Sequence, residues 1–225
     1  MIAAAAGVAA AAISVSPVRV RLSANASRTL TIRNGGDAPA AVDARLAGFV
    51  LDLHGKPVIA RGRVAAGWLR VRPQRILLAP GGAAALTVSS VVPGAAGPGD
   101  HPALVLLTTH IGRAAPVAIR VRVGVVVFVR VPGRIVHRLE LRALRARGSV
   151  LEAAIANRGN VVERARVHIS LWRRGRLLAR LGPIVRTLLP HSSGIERFRY
   201  HGRLQGWVTA RVEAGALWRS FRLQV

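Results

Sequence analysis

The 225-residue chain contains no cysteine, only one lysine (Lys56), and few aromatic residues: four tryptophans, four phenylalanines and one tyrosine. The absence of cysteine excludes disulfides, thiolate metal sites and cysteine nucleophiles. Acidic residues are scarce, with nine aspartates and glutamates against 34 lysines and arginines, so the formal net charge is +25. Such a charge attracts polyanions such as nucleic acid, anionic lipid headgroups or acidic cell-wall polymer. The arginine excess is equally what a GC-rich genome produces, and both explanations stay open.

The side chains that carry out catalysis do not form a recognisable constellation. The acidic residues occur singly, several in predicted turns, such as Asp37 and Asp100. The seven histidines include no pair at metal-ligand spacing on one strand. Ser192-Ser193-Gly194 lacks the flanking glycine of a nucleophile elbow, and the glycine-rich segment 94–99 contains a proline and precedes no helix. The sequence therefore predicts a protein that is not an enzyme and has no catalytic, cofactor-binding or metal-binding residues.

Nucleic acid is also disfavoured as a partner. Single-strand binders stack bases on exposed aromatic residues, whereas Phe49, Trp68 and Trp207 are predicted to be core or edge packing. No helix suited to the major groove is visible.

The first 13 residues predict a signal-peptide remnant. Segment 1–12 is rich in alanine and too short to span a bilayer, which takes about 20 residues. Ala10-Ala11-Ala12 supplies the small residues of a signal-peptidase site, although a positively charged n-region is missing. The alternative is a short apolar extension. No later stretch is apolar enough for a membrane anchor, so we expect an extracytoplasmic protein at the cell surface, in the cell wall or secreted, without a transmembrane anchor.

The longest regular pattern runs from Val117 to Val131. Every odd position is β-branched, and a period of two indicates a strand with one buried face. On the even face, Val126 and Phe128 follow Gly124 and are predicted to form a free surface that a second domain or a partner covers. Pro132-Gly133 then ends the strand. We expect a first domain at residues 14–132 and a second at 135–225.

Shorter alternating segments and turn signals fill the rest of the chain, and two turn signatures recur in the same order. Ile32-Arg33-Asn34-Gly35-Gly36-Asp37 matches Ile155-Ala156-Asn157-Arg158-Gly159-Asn160, and Leu78-Ala79-Pro80-Gly81 is echoed by Leu188-Leu189-Pro190-His191. A repeated order of turns indicates two copies of one architecture. The fold class predicted is all-β, with two immunoglobulin-like β-sandwich domains in tandem.

Several motifs of the first half carry a family resemblance: Ser16-Pro17-Val18-Arg19, the Ile-x-Asn-x-Gly-Asp turn (Ile32–Asp37), Leu51–Val58, Trp68-Leu69, Leu78-Ala79-Pro80-Gly81 and Val121–Val125. Together they resemble bacterial secreted proteins with tandem immunoglobulin-like domains. The chain is similar to the peptidoglycan-binding domain of WxL-interacting proteins and, more distantly, to periplasmic pilus-assembly chaperones. The WxL-like resemblance implies a non-enzymatic exported envelope protein that binds cell-wall polymer or surface protein partners.

The chaperone resemblance implies an alternative function, β-strand donation to pilin-like subunits. Such chaperones hold the pilin's terminal carboxylate with a first-strand arginine and a last-strand lysine. Arg19 fits the first role, but no lysine lies in the last strand, so Arg122 or Arg130 would replace it. The predicted partner-binding residues are Arg19, Arg21, Arg122, Val126, Phe128 and Arg130. A third hypothesis is polyanion binding with no specific role.

Overall fold

The computed structural model describes residues 13–60, 64–111, 119–201 and 206–224. These residues form β-strands and one 3-10 turn (Val64–Trp68), with no α-helix among them. The all-β fold class is therefore confirmed. The signal-peptide prediction falls on residues that, apart from Ile13, lie outside the described ones.

The chain divides into two compact units. The first comprises the residues up to Phe49 together with Ile59–Gly97 and His101–Pro132, and the second comprises Val50–Val58, Pro98–Asp100 and the residues from Gly133 onward. The domain limits expected from the sequence, 14–132 and 135–225, stay a prediction.

The first ten strands form two sheets. The strands are β1 (Ile13–Ser16), β2 (Arg19–Ser23), β3 (Ser27–Asn34), β4 (Ala40–Leu51), β5 (Pro57–Ala60), β6 (Leu69–Arg72), β7 (Arg75–Leu78), β8 (Ala83–Ser90), β9 (Gly99–Ile111) and β10 (Ile119–Val131). One sheet has the order β1-β3-β8-β6; the other has the order β2-β10-β9-β4-β5, with β7 also paired to β4. Alternate residues of both sheets, such as Leu30, Leu86, Val105 and Val127, are fully buried in one hydrophobic core.

Segment Val15–Leu22 contributes to both sheets. β1 pairs antiparallel with β3, whereas β2 pairs parallel with β10. The break falls at Pro17, which has no N–H to continue a hydrogen-bonded ladder.

The last seven strands form the second sandwich. They are β11 (Leu139–Arg147), β12 (Val150–Asn157), β13 (Glu163–Arg173), β14 (Arg176–Leu188), β15 (Ser193–Arg199), β16 (Trp207–Ala214) and β17 (Leu217–Gln224). Their sheets have the orders β11-β12-β15 and β14-β13-β16-β17. Strand β11 pairs with β12 through a register shift between Leu141 and Ala143.

The repeated turn signature has the same hydrogen bonds in both halves of the chain. Asn34 Oδ1 accepts from the N–H of Gly36, and Asn34 Nδ2 donates to the carbonyls of Ala38, Leu78 and Ala79. Asn157 Oδ1 accepts from the N–H of Gly159, and its Nδ2 donates to the carbonyls of Val161, Leu188 and Leu189. In each half the asparagine therefore joins the first turn signature to the second.

Candidate partner-binding site

The downstream half of β10 lies inside its sheet. β2 pairs with it from Val126 to Arg130, and β9 is its neighbour on the other side. Its inward residues Val125, Val127 and Val129 are fully buried, as the period of two predicts. This half of the strand has no free edge.

The upstream half of β10 has an open edge. The register with β2 begins only at Val126, so in the described part of the chain no strand pairs with residues 119–125 on that side. The N–H of Val126 donates to Val18 O at 3.0 Å, so main-chain groups of the even-numbered residues point toward β2. The N–H and C=O groups of Arg122 and Gly124 therefore lie along the open edge.

The side chains of this upstream half alternate between apolar and polar. Val121 and Val123 are half-buried, and Val123 packs against the first core, while Arg122 is exposed. At Gly124, an added Cβ would lie 3.9 Å from the side chains of Leu104 and Leu106. The edge thus presents β-branched side chains beside main-chain groups with which no described strand pairs.

The six partner-binding residues predicted from the sequence share one sheet face. Residues at even positions of β10 point the same way, and the register pairs Val126 with Arg19 and Phe128 with Arg21. The face therefore carries the whole predicted set: Arg19, Arg21, Arg122, Val126, Phe128 and Arg130.

The predicted exposure of this face is wrong at Phe128. Its side chain is only 3% exposed, and Val126 is half-buried. Phe128 belongs to the part of β10 that has strands on both sides, so it offers neither an edge nor a free surface. Of the six residues, Arg19, Arg21 and Arg122 are exposed.

An open depression beside β2 collects arginine side chains. Its lining includes Arg19 and Arg21 of β2 and Arg28 and Thr29 of β3, with no acidic residue among the lining residues. Guanidinium groups donate paired hydrogen bonds to carboxylates, so the depression suits an anionic group. The sequence did not single out Arg28, because its position beside β2 follows from how the strands pack.

Arg186 and Glu196 form a buried ion pair in the second unit. The NH1 of Arg186 is 3.1 Å from Glu196 Oε1, and its NH2 donates to the carbonyls of Asp52 (3.1 Å) and Leu53 (2.8 Å). Burial raises the pKa of Glu196, an effect that the charge of Arg186 opposes. Added Cβ atoms at Gly55 and Gly194 would lie 2.5 Å and 2.7 Å from the guanidinium, so both glycines make room for it. This ion pair anchors the Asp52-Leu53 turn.

In the described ranges, no group of three or more His, Asp or Glu side chains is placed to hold a metal ion. No described helix has the length and apolar character needed to cross a bilayer.

These features define a protein of two immunoglobulin-like β-sandwiches, and solved structures share that architecture. The class 5 fimbriae chaperone CfaA has a TM-score of 0.57 at 11% identity, with 95% of this chain and 100% of that chain covered. The YadV chaperone has a TM-score of 0.54 at 16% identity, covering 94% and 99%. A structure of the Salmonella enterica SafA pilin in complex with the SafB chaperone has a TM-score of 0.53 at 14% identity, covering 96% and 97%.

These likenesses confirm the predicted fold of two β-sandwiches. They support the pilus-chaperone part of the resemblance and not the WxL-interacting part. No protein-family model matches the sequence, and no curated protein matches it.

Proposed function

We propose that the chain is a non-enzymatic periplasmic chaperone that donates the upstream edge of β10 to a pilin-like subunit. The observation that carries the proposal is the edge of Ile119–Val125, with which no described strand pairs on the β2 side, and which continues into a strand that pairs on both sides from Val126 onward. The fold likeness to fimbrial chaperones supports this alternative over cell-wall binding.

The open edge has both components that strand addition needs. Main-chain groups of Arg122 and Gly124 are available to pair with a partner strand, which supplies affinity. Val121 and Val123 stand at alternate positions on the same strand, and side chains so spaced fill the groove of a sandwich that lacks one strand. The donor residues are therefore upstream of the Val126 and Phe128 pair expected from the sequence.

The arginines beside the edge supply an anchor for a subunit's terminal carboxylate. Arg19 lines the depression with Arg28, and its backbone pairs with Val126, where the open edge of β10 ends. Arg122 lies on the same sheet face and takes the place of the last-strand lysine. The partner-binding set becomes Arg19, Arg28, Arg122 and the edge residues Val121 and Val123.

Arg122→Pro tests the edge itself. Proline removes one N–H, and at an edge position facing solvent it is compatible with the strand, so the variant should fold like the wild type. Arg122→Ala is the matched control, because it removes the charge but keeps the N–H. With pilin-like subunits of the host co-expressed in the periplasm, we expect Arg122→Pro to abolish the soluble complex on gel filtration and Arg122→Ala to retain it in part.

Amide hydrogen exchange distinguishes the two sides of the strand. The amides of Arg122 and Gly124 should exchange fast in the free chain and slowly in the complex. The amide of Val123, which points toward β9, should be slow in both. A folded Arg122→Pro variant that captures subunits as the wild type does would contradict the proposal.

A further inference from the structure

Three of the four tryptophans lie on the four-stranded sheet of the second unit, outside its core. Trp207 and Trp218 are 55% and 57% exposed, and Trp172 is half-buried. The expectation that Trp207 serves as core or edge packing is therefore wrong. Exposed aromatic side chains concentrated on one sheet mark an interaction surface.

Strand register places these tryptophans on the outer face of that sheet. In β16, Val208, Ala210 and Val212 are buried, so Trp207 and Arg211 point outward. The outer face also carries residues paired with the outward positions of β16: Trp172, Ser170 and His168 of β13, and Arg222, Ser220 and Trp218 of β17.

Two of the tryptophans are each stacked with an arginine from the neighbouring strand. The Cζ of Arg222 lies 4.9 Å from the ring centroid of Trp207, and the Cζ of Arg211 lies 4.6 Å from that of Trp218. A guanidinium stacked on an indole is weakly hydrated and keeps in-plane N–H groups for an anion. Arg211 also contacts Glu213 at 2.9 Å.

The outer face contains two open depressions with Trp172 in the lining of both. One is lined by Trp172, Trp207, Arg174 and Arg222, among others. The other includes Arg180, Arg211 and His168 with one acid, Glu213. Cations thus outnumber acids in both depressions.

We propose that this face, which we call the Trp-Arg face, binds the anionic headgroups of a phospholipid membrane surface. Indole rings partition preferentially to the level of the lipid headgroups, and arginines beside them can reach the lipid phosphates. A broad sheet face with open depressions fits a planar surface better than a single small molecule. Stacked bases are disfavoured, because an arginine already covers one face of both exposed tryptophan rings.

Vesicle co-sedimentation tests the charge component. Vesicles of equal parts phosphatidylcholine and phosphatidylglycerol should bind the full chain, and phosphatidylcholine alone should bind it far less. Arg211→Gln with Arg222→Gln should weaken binding about 25-fold, roughly fivefold for each charge near an anionic surface. The control, Arg33→Gln with Arg45→Gln, removes two exposed arginines of the first unit and should change binding less than about threefold. Equal losses from both double variants would overturn the proposal.

Tryptophan fluorescence tests the aromatic component. Emission should shift to the blue on binding anionic vesicles, and Trp207→Ala with Trp218→Ala should remove most of the shift while the far-ultraviolet circular dichroism stays unchanged. The buried Trp68 of the first unit supplies the unshifted background. Single-stranded oligothymidine and polyglutamate are the competing probes. If either binds this face more tightly than the anionic vesicles, with the same loss in the Arg211 and Arg222 variant, the assignment to a membrane surface is wrong.

Discussion

Asn157→Ala should be among the most destabilising single substitutions in the second sandwich. The side chain is fully buried. Its Nδ2 donates to Val161 O at 2.7 Å, Leu188 O at 3.3 Å and Leu189 O at 3.1 Å, and its Oδ1 accepts from Gly159 N at 2.9 Å. Alanine removes all four hydrogen bonds and replaces none.

The magnitude follows from which groups lose their only partner. The carbonyl of Leu189 keeps its bonds from the N–H and hydroxyl of Ser192. The N–H of Gly159 and the carbonyl of Val161 have no second hydrogen bond among the described residues. Each buried polar group left unsatisfied costs about 1–3 kcal/mol, so the two groups together should lower the free energy of unfolding by about 2–6 kcal/mol.

Asn34→Ala provides an internal comparison. Three of the four equivalent bonds of Asn34 are partly exposed to solvent, whereas the bond to Leu78 O is buried. Each of the four is slightly longer than its counterpart at Asn157, with 3.5 Å to Leu78 O and 3.2 Å to Ala79 O. Water replaces part of what the substitution removes, so the cost should be smaller than at Asn157.

Urea unfolding followed by tryptophan fluorescence measures both variants. We expect a lower midpoint with an unchanged m-value. Thr209→Ala, at an exposed position, should stay within about 0.5 kcal/mol of the wild type. A loss below about 1 kcal/mol at Asn157, or a larger loss at Asn34 than at Asn157, would refute the reasoning.

Three further predictions concern buried groups. Phe128→Ala should lower the free energy of unfolding by about 3–5 kcal/mol, because its side chain is buried, and urea titration would show it; a change below about 1 kcal/mol would restore the free-surface hypothesis. For Glu196, burial raises the pKa in the folded state, so its contribution to stability is largest below the ordinary carboxyl range and is lost as pH rises through the raised pKa. The melting temperature of the wild type should therefore fall relative to that of Glu196→Gln as pH rises over that window. A difference between the two that does not change with pH would contradict this prediction. Gly194→Ala places a Cβ 2.7 Å from the Arg186 guanidinium and should cost roughly 1–3 kcal/mol, whereas Gly175→Ala, with no atom within 4 Å, tests the strain of a positive φ alone.

The sequence predicted the local features well. A period of two identified β10 and its buried odd face, because side chains of a strand alternate between its two sides. The repeated turn signatures identified two copies of one sandwich, and the two asparagines have matching hydrogen bonds. The assignment of Arg19 and Arg122 as partner-binding residues, and strand donation as the alternative function, stay predictions.

Tertiary structure alone decided which edges and faces are covered. Alternation shows which side chains share a face but does not show which strands lie beside it, and that pairing is set by residues distant in the chain. For this reason Phe128 is buried, the open edge lies upstream of it, and Arg28 joins Arg19 in one depression. The Trp-Arg face likewise forms only when β13, β16 and β17 pair. Its tryptophans and arginines are up to about fifty residues apart in the sequence, so local alternation does not show that they lie side by side.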